Sequence, residues 1–150
     1  MKNLSDADKF VFEKYATNTT PSSSEVKAFL TATWNACEVF DRSRFIWDNL
    51  EPVGISIIPV SSGAFGEEEE LFLVQTIYYA TGFEILSLTF EKGDRKQFVT
   101  FLAVLLLVQY DFWIISSALD LVIEHSHDNG LNVVKAPDSF IEACVQVFNK

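Results

Sequence analysis

The sequence has few of the residues on which enzyme chemistry most often depends. Only two histidines and two cysteines occur among its 150 residues, and it contains neither a G-x-S-x-G sequence nor a glycine-rich phosphate loop. Structural zinc takes four ligands, and nucleophilic catalysis takes a serine or cysteine beside a histidine with an orienting acid. We therefore expect a protein that is not an enzyme and that holds no cofactor and no metal.

Basic residues are also scarce. Eleven lysines and arginines are scattered along the chain against 21 acids, which gives a formal net charge of −10. The imbalance lies beyond residue 50, since residues 51–110 carry eight acids and three bases, and residues 111–150 carry six acids and two bases. Such a charge repels nucleic-acid phosphates and anionic lipids and attracts basic surfaces. We expect a basic protein partner, no nucleic acid and no membrane.

Long apolar runs are missing as well. The longest, FVTFLAVLLLV at residues 98–108, falls well short of the roughly 20 residues that a spanning helix needs. The N-terminal MKNLSDADKF contains no apolar signal-peptide segment. Cys37 and Cys144 both fall in apolar helical patterns, where free cysteine behaves as a small apolar residue. These features predict a single cytoplasmic domain over residues 1–150 with free cysteines.

The apolar spacing predicts an α+β fold. Ser5 with Asp8, Ser22 with Glu25, and Asp94 with Gln97 have the spacing of helix N-termini. Helices are predicted over residues 5–17, 22–40, 94–108 and 137–148. Strands are predicted over residues 53–60, 70–79, 83–90, 111–117, 121–127 and 131–136. We expect an antiparallel sheet of about five to six strands, with N-terminal helices, one buried central helix and a C-terminal helix.

The two histidines lie beside a predicted hairpin turn at residues 128–130. Because side chains alternate along a strand, His125 and His127 should share one face, and Glu124 and Asp128 the other. Three interpretations remain open. The histidines form the polar end of a hairpin, or the hairpin contacts a partner through its acids, or the histidines bind a metal that a carboxylate completes.

Four successive glutamates, Glu67, Glu68, Glu69 and Glu70, lead into the predicted strand at residues 70–79, of which Glu70 is the first residue. One interpretation is a solvated loop that leads into this strand. The other is a docking patch for lysine or arginine, since acidic surfaces raise the association rate of basic partners. The run lacks the alternating oxygen ligands and the glycine of a calcium loop.

In size, charge and order of elements, the chain resembles bacterial toxin-immunity proteins, including those cognate to contact-dependent growth-inhibition toxins. DFWIISSALDLVIEHSHD at residues 111–128 is similar in character to late strands of such proteins. The resemblance implies stoichiometric binding to a basic toxin domain, often a nuclease with a basic cleft. The alternatives are a small metal-binding protein or enzyme built on the His125/His127 hairpin, and a non-catalytic regulatory subunit. The residues predicted to contact the partner are Glu67, Glu68, Glu69, Glu70, Glu124, His125, His127 and Asp128.

Overall fold

The computed structural model describes residues 1–19, 28–30, 36–50, 54–61, 66–128 and 130–148. Within these ranges the chain forms seven strands and five helices. The strands are β1 (Lys2–Asn3), β2 (Ala28–Leu30), β3 (Ile55–Ser61), β4 (Leu88–Phe90), β5 (Asp111–Ser116), β6 (Val122–Ser126) and β7 (Gly130–Lys135). The helices are α1 (Asp6–Asn18), α2 (Ala36–Asp48), α3 (Glu67–Thr81), α4 (Arg95–Leu107) and α5 (Asp138–Phe148).

All seven strands belong to one antiparallel sheet in the order β1-β4-β3-β5-β6-β7-β2. In its centre Ile57 lies opposite Ile114, and Ile114 lies opposite Ile123, so branched side chains form a row across three strands. The β6–β7 hairpin closes with Ser126 opposite Gly130, whose φ of 74° suits glycine. The predicted hairpin is confirmed.

The two faces of the sheet pack against different helices. On the larger face, side chains of α2, α4 and α5 join one continuous core, in which the Trp47 and Phe98 rings lie 4.8 Å apart. Helix α4 contributes seven buried side chains, as its lack of a polar face predicts. On the other face α1 brings Ala16 against Ile58 and Ile115. The sheet is therefore covered by helices on both faces.

The predicted α+β class is confirmed, including its N-terminal helices, buried central helix and C-terminal helix. At the start of α1 the Ser5 hydroxyl accepts a hydrogen bond from the Asp8 N–H at 3.1 Å, which is the predicted cap. The sheet has seven strands instead of the five to six expected. The additional strands are the short β1 and β2, which have two and three residues and were not predicted. Among the described residues, no helix is long and apolar enough to cross a membrane.

The strand predicted over residues 70–79 is wrong, because this segment lies within α3. Its apolar residues fit both periodicities, so the apolar pattern alone does not distinguish a strand from a helix. The strand predicted over residues 83–90 is shortened to β4, which pairs with β3 and β1 instead of with residues 70–79. The acidic first turn and Gly82, which ends the helix with a φ of 77°, are the local features that could have identified α3.

The helix predicted over residues 22–40 is also wrong at residues 28–30. Ala28–Leu30 form β2, which pairs with the edge of β7, and the described part of α2 begins at Ala36. The capping pair Ser22 and Glu25 lies outside the described residues. The pairing of this segment with an open sheet edge cannot be recognised from a local sequence pattern. Cys37, predicted to lie in a helical core, is exposed on α2, whereas Cys144 is buried, and both are free.

Candidate partner-binding surface

His125 lies on β6 and points into the larger core. Its side chain is 2% exposed, and its ring stacks on Phe112 with centroids 4.9 Å apart and planes 16° apart. Its Nδ1 lies 2.6 Å from the Tyr110 carbonyl oxygen, to which the neutral ring donates. Burial lowers the pKa of His125, while the Tyr110 contact opposes this shift. The interpretation as a polar hairpin end is therefore wrong for His125, which belongs to the core.

His127 stands at the turn and makes an ion pair with Asp111. One Asp111 carboxylate oxygen accepts from the His127 backbone N–H at 2.8 Å and lies 3.0 Å from its Nδ1. The Nε2 atom lies 3.4 Å from an Asp128 oxygen. The hydrogen bond with Asp111 is the main cause that raises the pKa of His127. Asp111 was missed as a site residue, because only the β5–β6 register brings it to His127.

Glu124 and Asp128 add two more carboxylates at this hairpin. Glu124 is half-buried on β6, where it lies opposite Trp113 and Asn132 in the sheet register. Burial, followed by the negative charge of Asp111, raises the pKa of Glu124. The Asp128 side chain is 75% exposed. The hairpin therefore combines one half-buried carboxylate with one that faces solvent.

The histidine hairpin does not assemble a metal centre in the described part of the chain. No group of three or more His, Cys, Asp and Glu side chains there is arranged to hold an ion. The Nδ1 of His125 faces the Tyr110 carbonyl, and the Nδ1 of His127 faces the Asp111 carboxylate. The alternation predicted from the sequence is confirmed for Ile123 and His125, which share the core face, but it does not bring two free imidazoles together.

Glu67, Glu68 and Glu69 form the first turn of α3 and are exposed. The interpretation of this run as a loop leading into a strand is therefore wrong. Carboxylates near a helix N-terminus are favoured by the unpaired backbone N–H groups and the helix dipole. Glu70 lies in the same turn, and its side chain is outside the described residues.

Only a small part of the α3 surface packs against the rest of the protein. Among its described side chains only Ile77 is buried, while Leu73 and Val74 are half-buried. Large apolar side chains face solvent instead, with Phe72 71% and Tyr79 85% exposed. Exposed apolar area beside charged residues is typical of a protein-binding surface. Sequence reasoning missed these side chains because a strand would have divided them between two buried faces.

A short stretch of chain connects the end of the sheet that carries Asp111 with the start of α3. Ser61, at the end of β3, pairs with Asp111 at the start of β5, and Asp111 holds His127. Gly66, which precedes α3, is only five residues beyond Ser61 along the chain, a path of at most about 18 Å. We call Glu67–Glu69, Asp111, Glu124 and Asp128 the acidic end.

Comparisons of the chain with protein-family models, with curated proteins and with solved structures found no match. Next to the exposed carboxylates of Glu67–Glu69, α3 also exposes the apolar side chains of Leu71 and Phe72.

Proposed function

We propose that this protein binds and neutralises a basic toxin domain, as immunity proteins do, in the cytoplasm of the cell that it protects. The observation that carries the proposal is α3, which exposes Glu67–Glu69 directly beside Leu71 and Phe72. Charge steers the encounter of the two proteins, and apolar side chains that become buried on contact supply affinity. Both components are present on one helix.

In the part of the chain that the structure describes, no lysine or arginine forms an ion pair with Glu67, Glu68 or Glu69. No lysine or arginine occurs between residues 45 and 91, a stretch that contains eight acids. The lysine and arginine ion pairs found in the described structure involve acids of other helices. Arg95, for example, binds Asp48 through two contacts of 2.9 Å. The carboxylates of Glu67–Glu69 are therefore available to a cationic partner. The positive charge of that partner would reduce the repulsion among the three carboxylates.

The β6–β7 hairpin supplies further acids. Asp128 presents a solvent-facing carboxylate, and Asp111 with Glu124 adds negative charge behind it. His127 offsets part of that charge when it is protonated, so the hairpin becomes more negative as the pH rises. A basic cleft, such as that of a nuclease, is the complementary surface, and its occupation would exclude a polyanionic substrate.

The test compares two sets of charge-neutralising substitutions. One variant carries Glu67→Gln, Glu68→Gln and Glu69→Gln, and the matched control carries Glu84→Gln, Asp138→Asn and Glu142→Gln, which are exposed acids elsewhere. Association rates with a basic toxin domain identified by pull-down with this protein are measured at 20 and 200 mM NaCl. We expect the α3 variant to associate about tenfold more slowly at low salt, and the control to change by less than about twofold.

The same variants are then tested for protection of cells that express the toxin domain. Loss of protection in the α3 variant alone would support neutralisation through the acidic end. Equal association rates for the α3 variant, the control and the unmodified protein would contradict the proposal.

A further inference from the structure

The outward side of α3 carries a regular row of side chains. Glu68, Phe72, Gln75 and Tyr79 are spaced at i, i+4, i+7 and i+11, which places them along one helix face. Ile77, the buried residue of α3, lies on the opposite face. Phe72 and Tyr79 are 71% and 85% exposed, so the two largest side chains of this row project into solvent.

Two contacts fix the C-terminal end of this row. The Gly82 N–H donates to the Tyr78 carbonyl oxygen at 2.8 Å and ends α3 just beyond Tyr79. The rings of Tyr78 and Tyr79 meet edge to face with centroids 5.9 Å apart. Tyrosine and phenylalanine lose few rotamers on binding, which makes them effective anchors at interfaces. Leu71, which is 60% exposed, adds apolar area beside the row.

We propose that α3 docks as a helix into an apolar groove of the basic partner, with Phe72 and Tyr79 as its two anchors. Seven residues at a rise of 1.5 Å place the anchors about 10 Å apart along the helix, so the groove has two pockets at that separation. Lysine or arginine lines the end of the groove that meets Glu67–Glu69. This inference rests on the proposed function and specifies how the partner is held.

The charge pattern distinguishes this partner from a second copy of the chain. Two copies would bring together helices that carry four glutamates and no base, within molecules of formal charge −10. Anionic lipid would be repelled for the same reason. A groove with a basic rim satisfies the carboxylates and covers the aromatic rings together.

The first experiment maps what contacts the two anchors in the full chain. Phe72→p-benzoylphenylalanine and Tyr79→p-benzoylphenylalanine proteins are photolysed in lysate of the source cells, with Val145→p-benzoylphenylalanine on α5 as the exposed control. The crosslinked protein is identified and purified. Its Kd is then measured against Phe72→Ala, Tyr79→Ala and Val145→Ala. We expect both α3 variants to bind at least tenfold more weakly with unchanged melting temperatures, and the control to bind normally.

The outcomes separate this inference from the proposed function. If Glu67→Gln, Glu68→Gln and Glu69→Gln slow association while Phe72→Ala and Tyr79→Ala leave Kd unchanged, the groove is wrong and the proposed function stands. If neither set has an effect, both are wrong. Crosslinks only to a second copy, only to another segment of the same chain, or to nothing would also overturn the groove.

Discussion

At the scale of the residue, two histidines two positions apart have opposite environments. His125 lies in the core against Phe112, whereas His127 lies at the turn against the Asp111 carboxylate. Burial disfavours the charged imidazole, and a neighbouring carboxylate favours it. The pKa values of the two rings are therefore shifted in opposite directions from 6.5, downward for His125 and upward for His127.

Titration followed by NMR should resolve this difference. We expect the ring signals of His125 to titrate below pH 6.5 and those of His127 above it, and Asp111→Asn to lower the His127 value. Ser126→Ala, between the two rings, should leave both values nearly unchanged. A His127 pKa that is insensitive to Asp111→Asn would contradict the hydrogen bond as its cause.

The same shifts determine the sign of their effects on stability. Because the pKa of folded His127 is raised, its ion pair stabilises the protein fully below about pH 6.5, and this contribution is lost as the pH rises through the folded pKa. His125 acts in the opposite sense, since its lowered pKa makes folding less favourable as the pH falls below about 6.5. Urea unfolding of Asp111→Asn and the unmodified protein should therefore differ more at pH 6 than at pH 8.5.

At the scale of the element, α3 and α4 differ in how they are held. Helix α4 buries seven side chains between β4 and α2, among them Phe98, Phe101 and Leu102. Helix α3 is anchored by Ile77 among its described side chains. Since helices gain most of their stability in proteins from packing of an apolar face, α3 should open more readily than α4.

Hydrogen exchange measures this difference directly. We expect backbone amides of α3 to exchange at least about tenfold faster than those of α4. Ile77→Ala should accelerate α3 further while leaving α4 unchanged, and Gln75→Ala on the outward face should affect neither. Equal protection of α3 and α4 would show that α3 is packed more firmly than its exposure indicates. Binding of the proposed toxin domain should slow exchange in α3.

At the scale of the whole molecule, the negative net charge reduces the stability of the folded state. A formal charge of −10 is distributed over a single antiparallel sheet and its helices, and the acidic end concentrates part of it. Like charges lie closer together in the compact state than in the unfolded chain, so their repulsion reduces stability. An acidic binding surface therefore lowers the free energy of unfolding of the unbound protein.

Salt should relieve this repulsion. We expect the melting temperature to rise by about 2–4 °C, or about 1 kcal/mol, when NaCl increases from 0.01 to 0.15 M, because the Debye length falls from about 30 to about 8 Å. Glu67→Gln, Glu68→Gln and Glu69→Gln together should reduce this dependence, which calorimetry would measure. A melting temperature that falls with added salt would contradict net repulsion as the dominant electrostatic effect.

Local features were sufficient for the elements whose residues agree with a single periodicity. The Ser5 cap predicts α1, the unbroken apolar run predicts buried α4, and the turn before Gly130 predicts the β6–β7 hairpin. The run of glutamates stands out by its composition, but its helical structure was not predicted. In each successful case, the deciding interaction lies within a few residues along the chain.

Sequence alone thus determined the α+β class, most of the helix and hairpin positions and the excess of negative charge. Only the tertiary structure decided that Ala28–Leu30 join an edge of the sheet, and that His125 is buried while His127 meets Asp111. Strand pairing and burial depend on residues far apart in the chain. A local pattern shows which side chains share a face, whereas the folded protein decides which distant residues that face meets.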